Sequence, residues 1–186
     1  LANEFSELIH HDYDPFEYLW VKEGASGLSE FMSYGASQQL EDKANSWTQN
    51  STTSLRWWDG RTSDMGSSFL FISYLADKLG GSTGIQQLIS NPSLGGNGIE
   101  NLARNPGPGS TPIGLTMSEL FANFSAAITL DSDQGAFGFS EIDLVDDCSS
   151  GGFCRGVASA ENNDWTEAWQ SSGHSLEGWG LKSFRF

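Results

Sequence analysis

Three side chains able to ligate a metal or move a proton stand within about one helical turn near the start of the sequence: Asn3, Glu4 and Glu7, in NEFSELIH. Positions one and four apart share a helix face, so a helix here presents these three together and leaves Leu1, Phe5, Leu8 and Ile9 on its other side. A second helix beginning near Trp20 carries Glu23, Gly24 and Glu30 on or beside it, so carboxylates from two helices converge on one point. Metal-assisted peptide hydrolysis calls for this layout: two ligands one turn apart, a general-base Glu beside the first, and a third ligand from a following helix.

The two stretches NEFSELIH and WVKEGASGLSE resemble the secreted HExxH metallopeptidases of the gluzincin type, the hyicolysin and immune inhibitor A kind. In those enzymes the active-site helix reads approximately HEFQHLIH and is followed by WLNEGLSE. The resemblance implies a zincin-like fold, with this chain matching the helical C-terminal part of the catalytic domain. It puts the general base on Glu4 and the third zinc ligand on Glu23, both retained. The two histidine ligands fall on Asn3 and Glu7, where neither histidine is present.

That departure governs the functional expectation. Catalytic zinc is usually held by imidazole nitrogen with one carboxylate, leaving a position for a water whose pKa the metal lowers to about 7. Asn3, Glu7 and Glu23 offer an all-oxygen set that suits calcium, magnesium or manganese better. Without zinc, Glu4 has no activated water to deprotonate, so zinc is not expected and a disabled peptidase centre is. His11 lies one turn beyond Glu7 and is the one candidate to join a substitute site with Glu7 and Glu23. His10 reads as a capping or solvated residue at a helix end, and His174 as a surface residue.

The elements that position these groups read as mainly helical, with minor β near the C-terminus. The second helix spans about Tyr18 to Tyr34 and stops at Gly35; Gln38 to Asn45 adds a turn or two, followed by a polar loop to Ser54. Leu55, Trp57 and Trp58 suggest a short extended segment before an Asp59–Gly60 turn. Asp64 to Leu79 is the strongest helix, capped by Asp64 and ended by Gly80–Gly81. It too is similar to the family, whose corresponding helix reads approximately DYGASYLFLxYL; Met65 stands in place of an aromatic there. Shorter helices are expected over Thr83–Ser90 and Gly98–Asn105. Thr116 and Glu119 form a capping box ahead of a helix to Leu130, with Leu120, Phe121, Phe124, Ala127 and Ile128 as its buried stripe. Leu181 to Phe186 suggests a terminal strand.

Asp131, Asp133 and Asp143 are candidate calcium oxygens, although the pattern lacks parts of an EF-hand loop, and an acidic turn at a helix end explains them as well. Cys148 and Cys154 enclose a short Gly/Ser-rich gap and are expected to form a disulfide, which implies an oxidising compartment. Asn50 begins a glycosylation sequon.

The 186 residues suffice for one domain, read as a helical part over residues 1–144 and a disulfide loop with an aromatic segment over 145–186. A net charge of −15 with nine Lys plus Arg argues against nucleic acid or an anionic membrane as partner. No run is long and apolar enough for a membrane span. In the family a mixed sheet precedes the motif helix and forms one wall of the cleft. Here that wall is expected from the rest of a precursor or from neighbouring subunits, in a homo-oligomer or filament, and the uncovered edge is expected to expose apolar surface. Three functions follow. The first is an extracellular peptidase-like scaffold or binding module without activity. The alternatives are an active secreted peptidase with an unorthodox metal and a structural subunit of an extracellular filament or layer.

Overall fold

The computed structural model describes residues 2–49, 53–110, 112–132 and 135–156. Its order is α1 (Ala2–Tyr13), α2 (Leu19–Tyr34), α3 (Gln38–Thr48), α4 (Thr62–Leu79), α5 (Ser82–Ile89), α6 (Gly95–Arg104) and α7 (Met117–Leu130). A 3-10 turn (Gly135–Phe137) and two short strands, β1 (Leu144–Val145) and β2 (Phe153–Cys154), follow. The mainly helical expectation holds among the described residues, and the minor β lies in this strand pair, which is parallel with Leu144 opposite Phe153. The expected terminal strand and His174 lie outside the described residues.

The run Phe69–Ala76 has no polar side wide enough to face water, and α4 is accordingly buried over nearly its whole circumference. Helices α2 and α3 clasp it at glycines. A Cβ on Gly24 would lie 2.5 Å from Ile72 Cγ1, and one on Gly66 would lie 1.9 Å from the Lys43 carbonyl oxygen, so both crossings require the absent side chain. On another flank, Phe124 of α7 stacks on Trp47 at 5.5 Å between ring centroids and meets Phe71 edge-on at 5.2 Å. These rings, with Leu70, Ile72, Leu75 and Leu120, form the centre of the core.

Several boundaries depart from the expectations, each through a hydrogen bond made by a side chain beyond the element's own apolar pattern. Helix α3 runs on to Thr48 because Trp47 is buried and its indole N–H donates to the Thr53 carbonyl at 3.4 Å. Helix α4 starts at Thr62, with Asp64 in its first turn, where Oδ2 accepts from the N–H groups of Arg61 and Asp59. Helix α6 begins at Gly95, ahead of Gly98, because a side chain from the α1–α2 connection, Glu17, accepts the Gly95 N–H at 2.7 Å. Leu55 to Trp58 is not a strand; Ser54 Oγ accepts from the N–H groups of Arg56 and Trp57 and turns the chain. The capping box forms as expected, Thr116 Oγ1 accepting from Glu119 N–H and Glu119 Oε2 accepting from Thr116 N–H.

The strand pair is fastened to α3 by one amide. Asn45 accepts from Cys154 N–H at 2.7 Å and donates to the Gly152 carbonyl at 2.9 Å, while Glu41 accepts the Gly152 N–H. Cys148 and Cys154 form the expected disulfide, with their Cα atoms 5.4 Å apart. Among the described residues no helix is long and apolar enough to cross a membrane.

Candidate functional site between the first two helices

Helix α1 lies on α2 by its polar side. Ser6 and His10 are buried in the contact, Ser29 Oγ donates to Ser6 Oγ at 3.1 Å, and Ser26 Oγ donates to the Asn3 carbonyl at 3.3 Å. The apolar side faces outward, with Phe5 62% and Leu8 66% exposed. This polarity sets the site: it turns Asn3 and Glu7 toward α2, where Glu23 stands, and leaves Glu4 on the exposed edge. Leu1 lies outside the described residues.

Glu23 is half-buried beside Gly24, whose missing side chain lets α2 settle onto the Ser68 carbonyl and Ile72 of α4. Burial raises its pKa above the ordinary carboxylate value. The Glu7 carboxylate raises it further, Lys43 from α3 opposes the rise, and Glu4 adds to it. Thus Glu4, Glu7 and Glu23 share one electrostatic neighbourhood, with one ammonium beside them. Asn3 Oδ1 is buried there without a hydrogen-bond partner among the described residues.

These groups are near one another without forming a ligand cage: among the described residues, no three His, Cys, Asp or Glu side chains are grouped to hold a metal ion. His11 is exposed and joins no such group. The amide and carboxylates can accept hydrogen bonds or attract a cationic group, and Glu23, with its raised pKa, can hold a proton more readily than an ordinary Glu.

His10 is corrected. Instead of a solvated or capping residue it is 1% exposed, with both ring nitrogens lacking partners among the described residues. Burial lowers its pKa to about 4, Lys22 lowers it as well, and Asp14 opposes them. Sequence reasoning missed the surrounding set of Asp14, Glu17 and Lys22. The available signal was DYDPFE, where acids flank a proline that must end a helix. Asp14 and Glu17 are buried, and Glu17 has its pKa raised, chiefly by burial.

The other candidates stand apart from this site. Asp131 ends α7 with φ +42°; its Oδ2 accepts from Leu144 N–H at 2.8 Å and lies 3.9 Å from Arg155, so this carboxylate fastens β1 to the helix end. Asp143 is exposed, and Asp133 and Asn50 lie outside the described residues. No family model matches the chain, and no curated protein matches it.

Proposed function

We propose that this chain is the helical part of a zincin-like, extracellular peptidase-like module that has lost zinc chemistry and serves as a scaffold or binding module. The observation that carries this reading is the donor set between α1 and α2. At the positions where the resemblance calls for two imidazoles there stand Asn3, whose buried oxygen has no partner among the described residues, and Glu7, whose carboxylate raises the pKa of Glu23. An amide and crowded carboxylates make a poor seat for zinc. The retained Glu4 then sits idle, for want of a metal-bound water to deprotonate.

A specific observation favours a partner on this module. The Phe5–Leu8 side of α1 is apolar and faces outward, an arrangement that an isolated helix pair would not select. A neighbouring subunit or the remainder of a precursor covering this face would bury it. The disulfide and the acidic balance favour an oxidising, extracellular setting. An active peptidase with another metal is the competing reading, and one assay separates the two. The purified chain, supplied with zinc, manganese or calcium, is incubated with casein and a quenched peptide library. The expected result is no cleavage above a chelator-treated control; chelator-sensitive turnover would overturn the proposal.

A further inference from the structure

Beside the α1–α2 connection lies an open pocket of about 680 Å³, lined by Tyr18, Arg56, Asn97, Glu100, Asn101 and Met117 among others. Its volume falls within the roughly 300–1,000 Å³ of small-molecule sites. None of Glu4, Glu7 and Glu23 lines it.

The cavity wall is built rather than incidental. Glu17, 4% exposed, accepts the Tyr18 N–H at 2.6 Å and the Gly95 N–H at 2.7 Å through the same oxygen, tying the approach to α2 to the first residue of α6. A Cβ on Gly95 would lie 2.6 Å from Tyr18 Cδ2, so the ring of Tyr18 rests directly on the glycine backbone. The ring is thereby held in place while remaining 55% exposed. The two backbone hydrogen bonds offset the cost of burying this acid, and they fix the aromatic wall against α6.

The chemistry of the lining selects the ligand. Asn97 and Asn101 each offer both a donor and an acceptor, the pattern that hydroxyl groups match. Glu100 already accepts from Met117 N–H and pairs with Arg104, so it offers a ligand no unmatched charge. Asn101 donates to Ser93 Oγ at 3.3 Å, which orients its amide, and its carbonyl oxygen and second N–H remain for a ligand. An aromatic ring beside planar amides suits a neutral polyhydroxylated ring that presents a C–H face to the tyrosine and hydroxyl edges to the amides. The geometry points to a carbohydrate-binding site, with Tyr18 as the stacking platform and Asn97 and Asn101 as the hydroxyl readers.

Saturation-transfer NMR and titration calorimetry on the full chain test this, with maltotriose, cellotriose and triacetylchitotriose as probes and sodium phosphate and acetate as anion controls. At least one trisaccharide is expected to bind, with its affinity falling about tenfold or more in Tyr18→Ala and in Asn101→Ala. Both positions are exposed, and unchanged melting temperatures would show that the variants fold. Absence of binding by all three sugars, binding of the anions alone, or sugar binding unaffected by both substitutions would each overturn the assignment. Peptide-cleavage assays do not enter this test, so the cavity and the peptidase-like reading stand or fall separately.

Discussion

Ser29 donates a hydrogen bond to Ser6 at 3.1 Å, joining α2 to α1 hydroxyl to hydroxyl in a contact where apolar side chains would ordinarily meet. The consequence is a helix whose greasy side is the solvent side. Replacing both Phe5 and Leu8 by Gln is therefore expected to change the unfolding free energy of the isolated chain by less than about 1 kcal/mol, the scale of exposed substitutions. Urea unfolding measures it. The same double variant should bind much less of an apolar dye, and a loss of several kcal/mol would mean that these side chains are packed.

His10 makes stability depend on pH with a definite sign. Its folded pKa, about 4, lies below its ordinary value of 6.5, so the unfolded chain takes up the proton first as pH falls. Its contribution is fully present above about pH 6.5 and is lost as pH falls toward 4, by up to about 3 kcal/mol at 1.36 kcal/mol per unit. Unfolding free energies of wild type and His10→Gln, compared from pH 7 to 4, isolate this part. The difference should shift in favour of the variant on acidification, and parallel curves would refute it.

The crowding at Glu23 has a separate signature. Because burial and Glu7 both raise its pKa, Glu7→Gln is expected to lower the Glu23 midpoint in a carboxyl-carbon NMR titration, and Lys43→Met to raise it. The sign for stability is opposite to that of an ordinary paired acid: ionised Glu23 disfavours the fold. Glu23→Gln should then stabilise the chain at neutral pH, an advantage that fades as pH falls through the raised midpoint. Titration of Glu23 unmoved by either neighbour would contradict the arrangement.

Gly66→Ala tests the helix clasp. Its Cβ would stand 1.9 Å from the Lys43 carbonyl oxygen, a clash of backbone origin that no rotamer can relieve. A loss of about 3 kcal/mol or more is expected, against about 1 kcal/mol or less for an exposed helical site. Thermal unfolding checks it, and a variant as stable as wild type would show that α3 and α4 do not cross there.

What the sequence could disclose was whatever depends on local pattern. The apolar run Phe69–Ala76 announced a buried helix, Thr116 and Glu119 announced their own cap, and the short gap between Cys148 and Cys154 announced a bridge. The features that escaped depend on distant partners: Trp47 extends α3 because Thr53 returns to accept its indole, and α6 starts at Gly95 because Glu17 arrives from elsewhere. The site shows the same division. Spacing put Asn3 and Glu7 on one face of a helix, but only tertiary contact reveals that Glu7 and Lys43 act on Glu23 and that His10 is buried. Periodicity also separates the two faces of α1 without saying which is buried, because the answer lies in the serines of α2.

The proposed reading of α1 and α2 as a zinc-binding frame without its histidines is tested most directly by supplying them. Asn3→His together with Glu7→His places two imidazoles one turn apart, facing Glu23. Calorimetric zinc titration of this variant beside wild type is expected to give one tight, chelator-reversible site in the variant and none in the wild type. Equal zinc binding by both chains, or none by either, would contradict the account.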